Sequence, residues 1–269
     1  MRQFDLVTIG DNCIDEISGQ VEAVRVGGNA INVAVQAALR GFRVAYMGAV
    51  GPPGEANGDR IAAALAFNGV DIRWLERCDR PTSVTRIHVD QAGDRKILYE
   101  DFGACTGWKP DETRLKDVSG ARHVHIGWLN DGGVTRHQLI GVNVIVSQDI
   151  SVNALNKEDI AVTGLAIAFA SLPETQRDQA KKLASDLQNE GASAAVITLG
   201  GLGSFAQFGT ESNWAKALPI NPIDTTGAGD SYIAGFLTAR LGGASVSEAM
   251  QVAHALAAKT CMHPGGFVQ

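Results

Sequence analysis

Cysteine is scarce, and the four present, Cys13, Cys78, Cys105 and Cys261, lie far apart with no Cys-x-x-Cys pair. That spacing suggests neither a zinc site nor a disulfide framework, so free thiols in a reducing compartment are expected. Basic residues are in deficit: 23 Lys and Arg face 29 Asp and Glu, for a formal net charge of -6 and a pI near 5.5. Neither nucleic acid nor an anionic membrane surface is therefore an expected partner. No stretch approaches about 18 uninterrupted apolar residues. Residues 1–10 also lack a basic segment followed by a long apolar run, so the expected location is cytoplasmic. Proline is sparse too, at 8 beside 31 glycines, which indicates tight turns rather than a low-complexity chain. No internal repeat or Pro/Ser-rich linker divides the sequence, and 269 residues suffice for one large domain over 1–269 with a substantial core.

What is present alternates. Residues 4–10 (FDLVTIG) are β-rich and end at glycine, as a buried strand delivering Asp11 to a sheet edge would. Gly27-Gly28-Asn29 opens AINVAVQAALR, where Val33, Ala37 and Ala38 recur at helical spacing until Gly41 ends the run. Residues 44–48 read as a strand and 58–68 as a helix. Residues 82–99 interrupt the alternation with two β-rich runs around Gln91-Ala92-Gly93-Asp94, a turn suited to a hairpin. Beyond it, 122–127, 142–149, 165–171 and 194–200 read as buried strands. Residues 172–190 read as a helix whose Ala180, Leu183, Ala184 and Leu187 share one face, and 228–241 and 246–262 as two closing helices. The pattern predicts an α/β fold with a doubly wound, mainly parallel sheet covered on both faces.

The segment richest in chemistry is Asp224-Thr225-Thr226-Gly227-Ala228-Gly229-Asp230, leading straight into the helical SYIAGFLTARL. Glycines here let backbone N–H groups converge at a helix N-terminus, where partial positive charge favours a phosphoryl group. An aspartate at the helix entrance can accept the proton of an attacking hydroxyl. The same residues would also serve as a tight turn and a cap. Asp11 and Asp15 follow the first strand, and ionised carboxylates there suit sugar hydroxyls or simply solvent. Gly28, Asn29 and Asn32 read either as a turn with helix-face amides or as a site where backbone and amide approach a ligand. Thr198-Leu199-Gly200-Gly201-Leu202-Gly203-Ser204 follows a strand and is read as a phosphate-approaching turn or a plain hairpin. There is no Gly-Lys-Ser/Thr, and TIGDNCID lacks the spaced glycines of a dinucleotide fingerprint. His123 and His125 share one side of a strand without a third ligand and receive no metal chemistry.

DTTGAGD, with GGNAIN and TLGGLGS in the right order, resembles the signatures of the PfkB (ribokinase-like) carbohydrate kinases, and the resemblance spans nearly the whole chain. It implies a ribokinase-like fold with a small β lid formed by segments near 12–26 and 82–102, and an ATP-dependent transfer to a sugar-type hydroxyl. By the same resemblance Asp230 is the base, Gly227, Ala228 and Gly229 form the anion hole, and Asp11, Asp15, Gly28, Asn29 and Asn32 bind the sugar. Thr198, Gly200, Gly203, His254 and Glu174 would bind ATP with Mg2+. Asp224 and Thr226 lie where family members often hold a monovalent cation such as K+, an optional feature. One departure stands out: the family's Asn-x-x-Glu is Ser171-Leu172-Pro173-Glu174 here, which also spells a helix capping box. The start GDNCID and GGNAINVAV is similar to kinases acting on the 6-hydroxyl of fructosyl amino acids such as fructoselysine. Another ketose, a sugar acid of the 2-keto-3-deoxygluconate type and a nucleoside are alternative substrates. A non-catalytic sugar or nucleotide sensor and an NAD-dependent oxidoreductase are alternatives of other classes. A homodimer through the lid is the implied assembly.

Overall fold

A computed structural model describes residues 3–91, 95–142, 144–152 and 154–269. The tip 92–94 of the expected hairpin turn and Asn143 of the expected 142–149 strand lie outside the described residues. The first half runs β1 (Leu6–Ile9), β2 (Cys13–Gly19), β3 (Ala23–Gly27), α1 (Asn29–Leu39), β4 (Val44–Val50), α2 (Ala56–Phe67), β5 (Asp71–Arg77), β6 (Val84–Val89) and β7 (Arg95–Asp101). The second runs α3 (Glu112–Val118), β8 (His123–Ile126), α4 (Val134–Ile140), β9 (Ile145–Asp149), β10 (Ile167–Ser171), α5 (Ala180–Asn189) and β11 (Ala194–Thr198). A hairpin of β12 (Ser204–Phe208) and β13 (Glu211–Ala215) precedes α6 (Ala228–Leu241) and α7 (Val246–Thr260).

Among the described residues, nine strands form one sheet in the order β13-β12-β11-β10-β9-β8-β1-β4-β5, parallel from β11 to β5 and antiparallel at β12 and β13. The chain leaves β1 toward β4 and β5, then returns to β8 on the other side of β1. That reversal opens a crevice at the strand carboxyl ends, where doubly wound sheets bind ligands. Both faces are covered, as the near-continuous apolar runs require. One face packs α1, α2, α6 and α7 through residues such as Ile31, Ile61, Phe236 and Met250, and the other packs α3, α4 and α5 through Leu115, Leu139 and Leu187. Phe169 of the sheet meets Phe236 of α6 edge to face at 5.7 Å. Truncating a fully buried Phe such as Phe236 to Ala should cost about 3–5 kcal/mol. α6 is buried nearly all round from Ser231 to Ala239, so its entrance is held rigidly.

A second, smaller sheet, β3-β2-β6-β7, pairs separately from the first and comprises the segments that the resemblance implies as a lid. One sequence expectation needs correction. The 172–190 segment is not a single helix: Glu174–Gln179 is a 3-10 turn interrupted by non-helical Gln176 (φ -107°), and α5 starts only at Ala180. The apolar positions that anchor a helix to the sheet begin at Ala180, so nothing holds the preceding turn in α-helical form. β5, β12 and β13 were not read from the sequence.

Candidate active site

Asp11 leaves β1 at the crevice and accepts the N–H of Asn29 (3.0 Å) and of Ala30 (3.2 Å) on its two carboxylate oxygens. Gly28, at the start of α1, has no side chain to cap it, so a carboxylate from the sheet edge satisfies the orphan donors. Gly28 holds φ 116°, and a Cβ there would come within 2.6 Å of the Asn12 Cα. A glycine is therefore required for this approach.

The cap fixes α1 so that Asn29 and Asn32, one turn apart, both face α6. Asn29 Nδ2 donates to Asp230 Oδ1 at 2.7 Å and to Asp149 Oδ2 at 2.8 Å. Asn32 Nδ2 donates to Asp230 Oδ2 at 2.7 Å. Gly127, just past β8, lacks the Cβ that would press to 2.4 Å on Asn29 Oδ1. Asp230 is thus gripped on both oxygens by residues some 200 positions away. Burial pushes its carboxyl well above the usual carboxylate range, the Asn32 bond pulls it part of the way back, and the Asp149 and Asp11 charges add to the rise. Burial likewise raises Asp149, and it raises Asp11 to about 6 against the N–H bonds from Ala30 and Asn29. A raised pKa makes Asp230 a stronger proton acceptor once it is ionised.

The entrance of α6 is open to an anion. Gly227 precedes it in the left-handed region (φ 73°) with no side-chain cap, and a Cβ there would lie 2.5 Å from the Gly266 Cα. The Ala228 N–H is already taken by the Thr225 carbonyl at 3.2 Å, which leaves the first-turn N–H groups of Gly229 and Asp230 as donors. Asp224 behaves opposite to Asp230. Burial alone would raise it, but the N–H groups of Gly265 and Thr226, the Thr226 hydroxyl and Arg95 outweigh burial and bring it to about 2.

Asp15 sits on β2 opposite Arg25 of β3, so the two share one lid face. It accepts from the Cys13 thiol at 3.2 Å, and burial raises its pKa. Arg25 lies 3.5 Å from Asp224, and Arg95 of β7 lies 2.7 Å from the same oxygen while also bonding the Thr226 hydroxyl. These contacts tie the lid to the turn before α6, and they take up the side-chain oxygens that the resemblance assigns to a monovalent cation.

Along the same sheet edge, β9, β10 and β11 lead away from Asp149 to the predicted nucleotide turn. Strands spaced about 4.8 Å apart put β11 roughly 19 Å from β1, the reach of an extended nucleoside triphosphate. The Thr198 hydroxyl pairs with Ser171 at 2.6 Å, and Gly200 and Gly203 adopt positive φ. A Cβ on Gly203 would lie 2.0 Å from the Ala215 carbonyl oxygen. Glu174 does not close a capping box; its Oε1 accepts the Gly201 N–H at 2.7 Å, joining the 3-10 turn to the nucleotide turn. His254 is buried behind that turn, 2.9 Å from Ser204 Oγ and edge-on to Tyr232, and burial lowers its pKa to about 4. His123 and His125 both reach Ser147 Oγ inside the sheet face, at 2.7 and 2.9 Å, as neutral core residues. The sequence reading missed Asp149, Arg25 and Arg95. Asp149 carried a usable signal, a carboxylate ending an apolar strand just as Asp11 does; the two arginines carried none, because their partner lies over a hundred residues away.

Residues 11–134 and 146–267 match the pfkB family carbohydrate kinase domain. Over 271 residues the chain is 32% identical to a fructoselysine 6-kinase of Shigella flexneri, covering 97% of this chain and 99% of that protein. Over 273 residues it is 31% identical to a fructosamine kinase of Bacillus subtilis (strain 168), covering 97% and 92%. The fold matches that of Arabidopsis thaliana ribokinase, solved as a complex with ribose and ATP, with a TM-score of 0.85 at 22% identity over 97% of this chain and 94% of that one.

Proposed function

The chain belongs to the pfkB family of carbohydrate kinases, and from that premise we propose that it transfers the γ-phosphoryl group of ATP to the 6-hydroxyl of a fructosyl amino acid such as fructoselysine. The observation that carries the reading is Asp230, held on both oxygens by Asn29 and Asn32 beside the uncapped start of α6. The likeness to a fructoselysine 6-kinase and a fructosamine kinase over nearly the full chain supports the substrate class.

In the proposed reaction Asp230 takes the proton of the substrate hydroxyl as that oxygen bonds to the γ-phosphorus. The bond from the γ-phosphorus to the β–γ bridging oxygen breaks, and ADP leaves with the electron pair. The N–H groups of Gly229 and Asp230, at the positive end of α6, meet the charge on the transferred group. Glu174, the carboxylate bonded to the nucleotide turn, would help hold Mg2+, which would supply further charge neutralisation. Asp15, Asn29 and Asn32 orient the sugar, and Thr198, Gly200 and Gly203 seat the nucleotide with His254 behind them. The lid excludes water that would otherwise compete for the phosphoryl group. Its outer face carries exposed Val24, Leu98 and Tyr99, which supports a homodimer paired through the lid. No helix among the described residues is long and apolar enough to cross a membrane.

The test is ADP release from Mg-ATP over a panel of fructosyl amino acids, hexoses, sugar acids and nucleosides, with mass spectrometry of the product and Asp230→Asn as control. A fructosyl amino acid gaining one phosphate only with the intact aspartate establishes the reading. Activity confined to another sugar reassigns the substrate, and no transfer to any acceptor favours a sensor.

A further inference from the structure

The turn from Asp224 to Thr226 leads directly into Gly227, and its carboxylate is engaged on both oxygens. Oδ1 accepts the Thr226 N–H at 2.9 Å. Oδ2 accepts the Gly265 N–H at 2.8 Å, lies 2.7 Å from Arg95 Nη2 and faces Arg25 Nη1 at 3.5 Å. The other terminal nitrogen of Arg95 donates to the Thr226 hydroxyl. One planar guanidinium therefore spans both side chains with two differently directed donors, a geometry that a fork provides and a spherical ion does not. A potassium or sodium ion held by backbone and side-chain oxygens of this turn would have to share its side-chain ligands with these donors, and two guanidinium charges already face the one carboxylate. Among the described residues, no cluster of three or more His, Cys, Asp or Glu offers a metal site elsewhere. The side chains present do not fit a monovalent cation at this turn.

We propose that Arg95, assisted by Arg25, is the resident cation of the turn that sets the anion hole. Because both arginines are carried by lid strands, closing the lid and fixing Gly227 to Gly229 are one event, and the enzyme needs no monovalent metal. The inference rests on the reading of the first turn of α6, with the N–H groups of Gly229 and Asp230, as an anion hole. Arg95 is accordingly a positioning residue that acts through Asp224 and Thr226.

The experiment has two arms, one free of any substrate. In the first, thermal unfolding of wild type and Arg95→Ala is followed in tetramethylammonium chloride and in potassium chloride at equal ionic strength. The wild-type midpoint should be the same in both salts, and that of Arg95→Ala lower. In the second, phosphoryl transfer from Mg-ATP to fructoselysine should be equally fast for wild type in both salts. Arg95→Ala should lose about 100-fold in kcat through misplacement of the anion hole, with the fructoselysine KM little changed. Arg95→Lys, which keeps the charge but loses the fork, should fall between the two. A saturable rise of the wild-type midpoint or rate with potassium overturns the proposal, as does an Arg95→Ala protein as stable and active as wild type. Should Arg95→Ala fail to fold, the wild-type salt comparison and Arg95→Lys still decide. Absence of transfer by wild type to any acceptor would count against the proposed function, and the unfolding arm would still judge the guanidinium.

Discussion

The acceptor end and the nucleotide end of the crevice are built on different plans. At the acceptor end, Asp11, Asp149 and Asp230 are half-buried and cross-linked through Asn29 and Asn32, joining β1, β9, α1 and α6. At the nucleotide end, Ser171, Glu174 and Gly201 are exposed and bonded to near neighbours along one edge. Loss of solvent at the first end raises carboxylate pKa values, and the amide bonds hold the groups in place. Exposure at the second leaves its groups hydrated and adjustable. The lesson is that the proposed base is bound up with the fold, whereas the proposed nucleotide turn is a local feature of one edge, which is where the Ser171 departure falls.

That contrast can be broken or sharpened by substitution. Asp230→Asn should have the largest effect, a kcat loss of about 10²–10⁴-fold with sugar and ADP binding retained, read by steady-state kinetics and calorimetry. Asp149→Asn should act chiefly on pH dependence. The base works ionised, so the rate falls as pH drops through the pKa of Asp230. Removing the Asp149 charge lowers that pKa, and the acid limb of the pH profile of kcat/KM should move to lower pH. An unchanged limb would show that the two carboxylates are not coupled. Glu174→Gln should raise the KM for ATP about fivefold with the sugar KM unchanged, since one charge-assisted bond is weakened. Ser171→Asn should be the mildest, changing the KM for ATP by less than about twofold, as fits an exposed side chain.

The buried carboxylates also set a stability profile. The folded state holds the Asp11 proton up to about 6, above the ordinary value of 3.8, so the folded chain binds more protons than the unfolded one between those values. Its contribution should thus favour folding at low pH and fade as pH rises through that window. Asp224, at about 2, has the opposite sign: its contribution is present above the ordinary value of 3.8 and is lost as pH falls toward 2. The two contributions act in adjoining windows, so unfolding midpoints should rise with pH up to about 3.8 through Asp224 and fall from there toward about 6 through Asp11.

The elements legible in the sequence were those with strong periodicity and a terminating glycine, such as α1 and α6. β5 escaped because Arg73, Glu76 and Arg77 make it charged, as edge strands often are. β13 escaped for the same positional reason, its residues being mostly polar at the opposite edge. The turn at 174–179 looked helical because Ser171 and Glu174 have capping spacing, but the Gly201 N–H draws the Glu174 carboxylate away from its own chain. Asp230 and its glycines were legible as a local string. Their grip by Asn29 and Asn32 was not, because a contact across some 200 residues leaves no trace in local spacing.

Two helices present their amino ends to the crevice, and the protein treats them unequally. The N–H groups of α1 are capped by the Asp11 carboxylate, whereas no side chain caps those of α6, whose first turn carries Asp230. Each end attracts negative charge, so a polyphosphate entering the crevice would otherwise have two competing places to settle. With one end already neutralised, only the end beside Asp230 is left to draw the phosphoryl group. The Asp11 cap thus does for the ligand what a keyway does for a key: it closes the wrong slot before the ligand arrives.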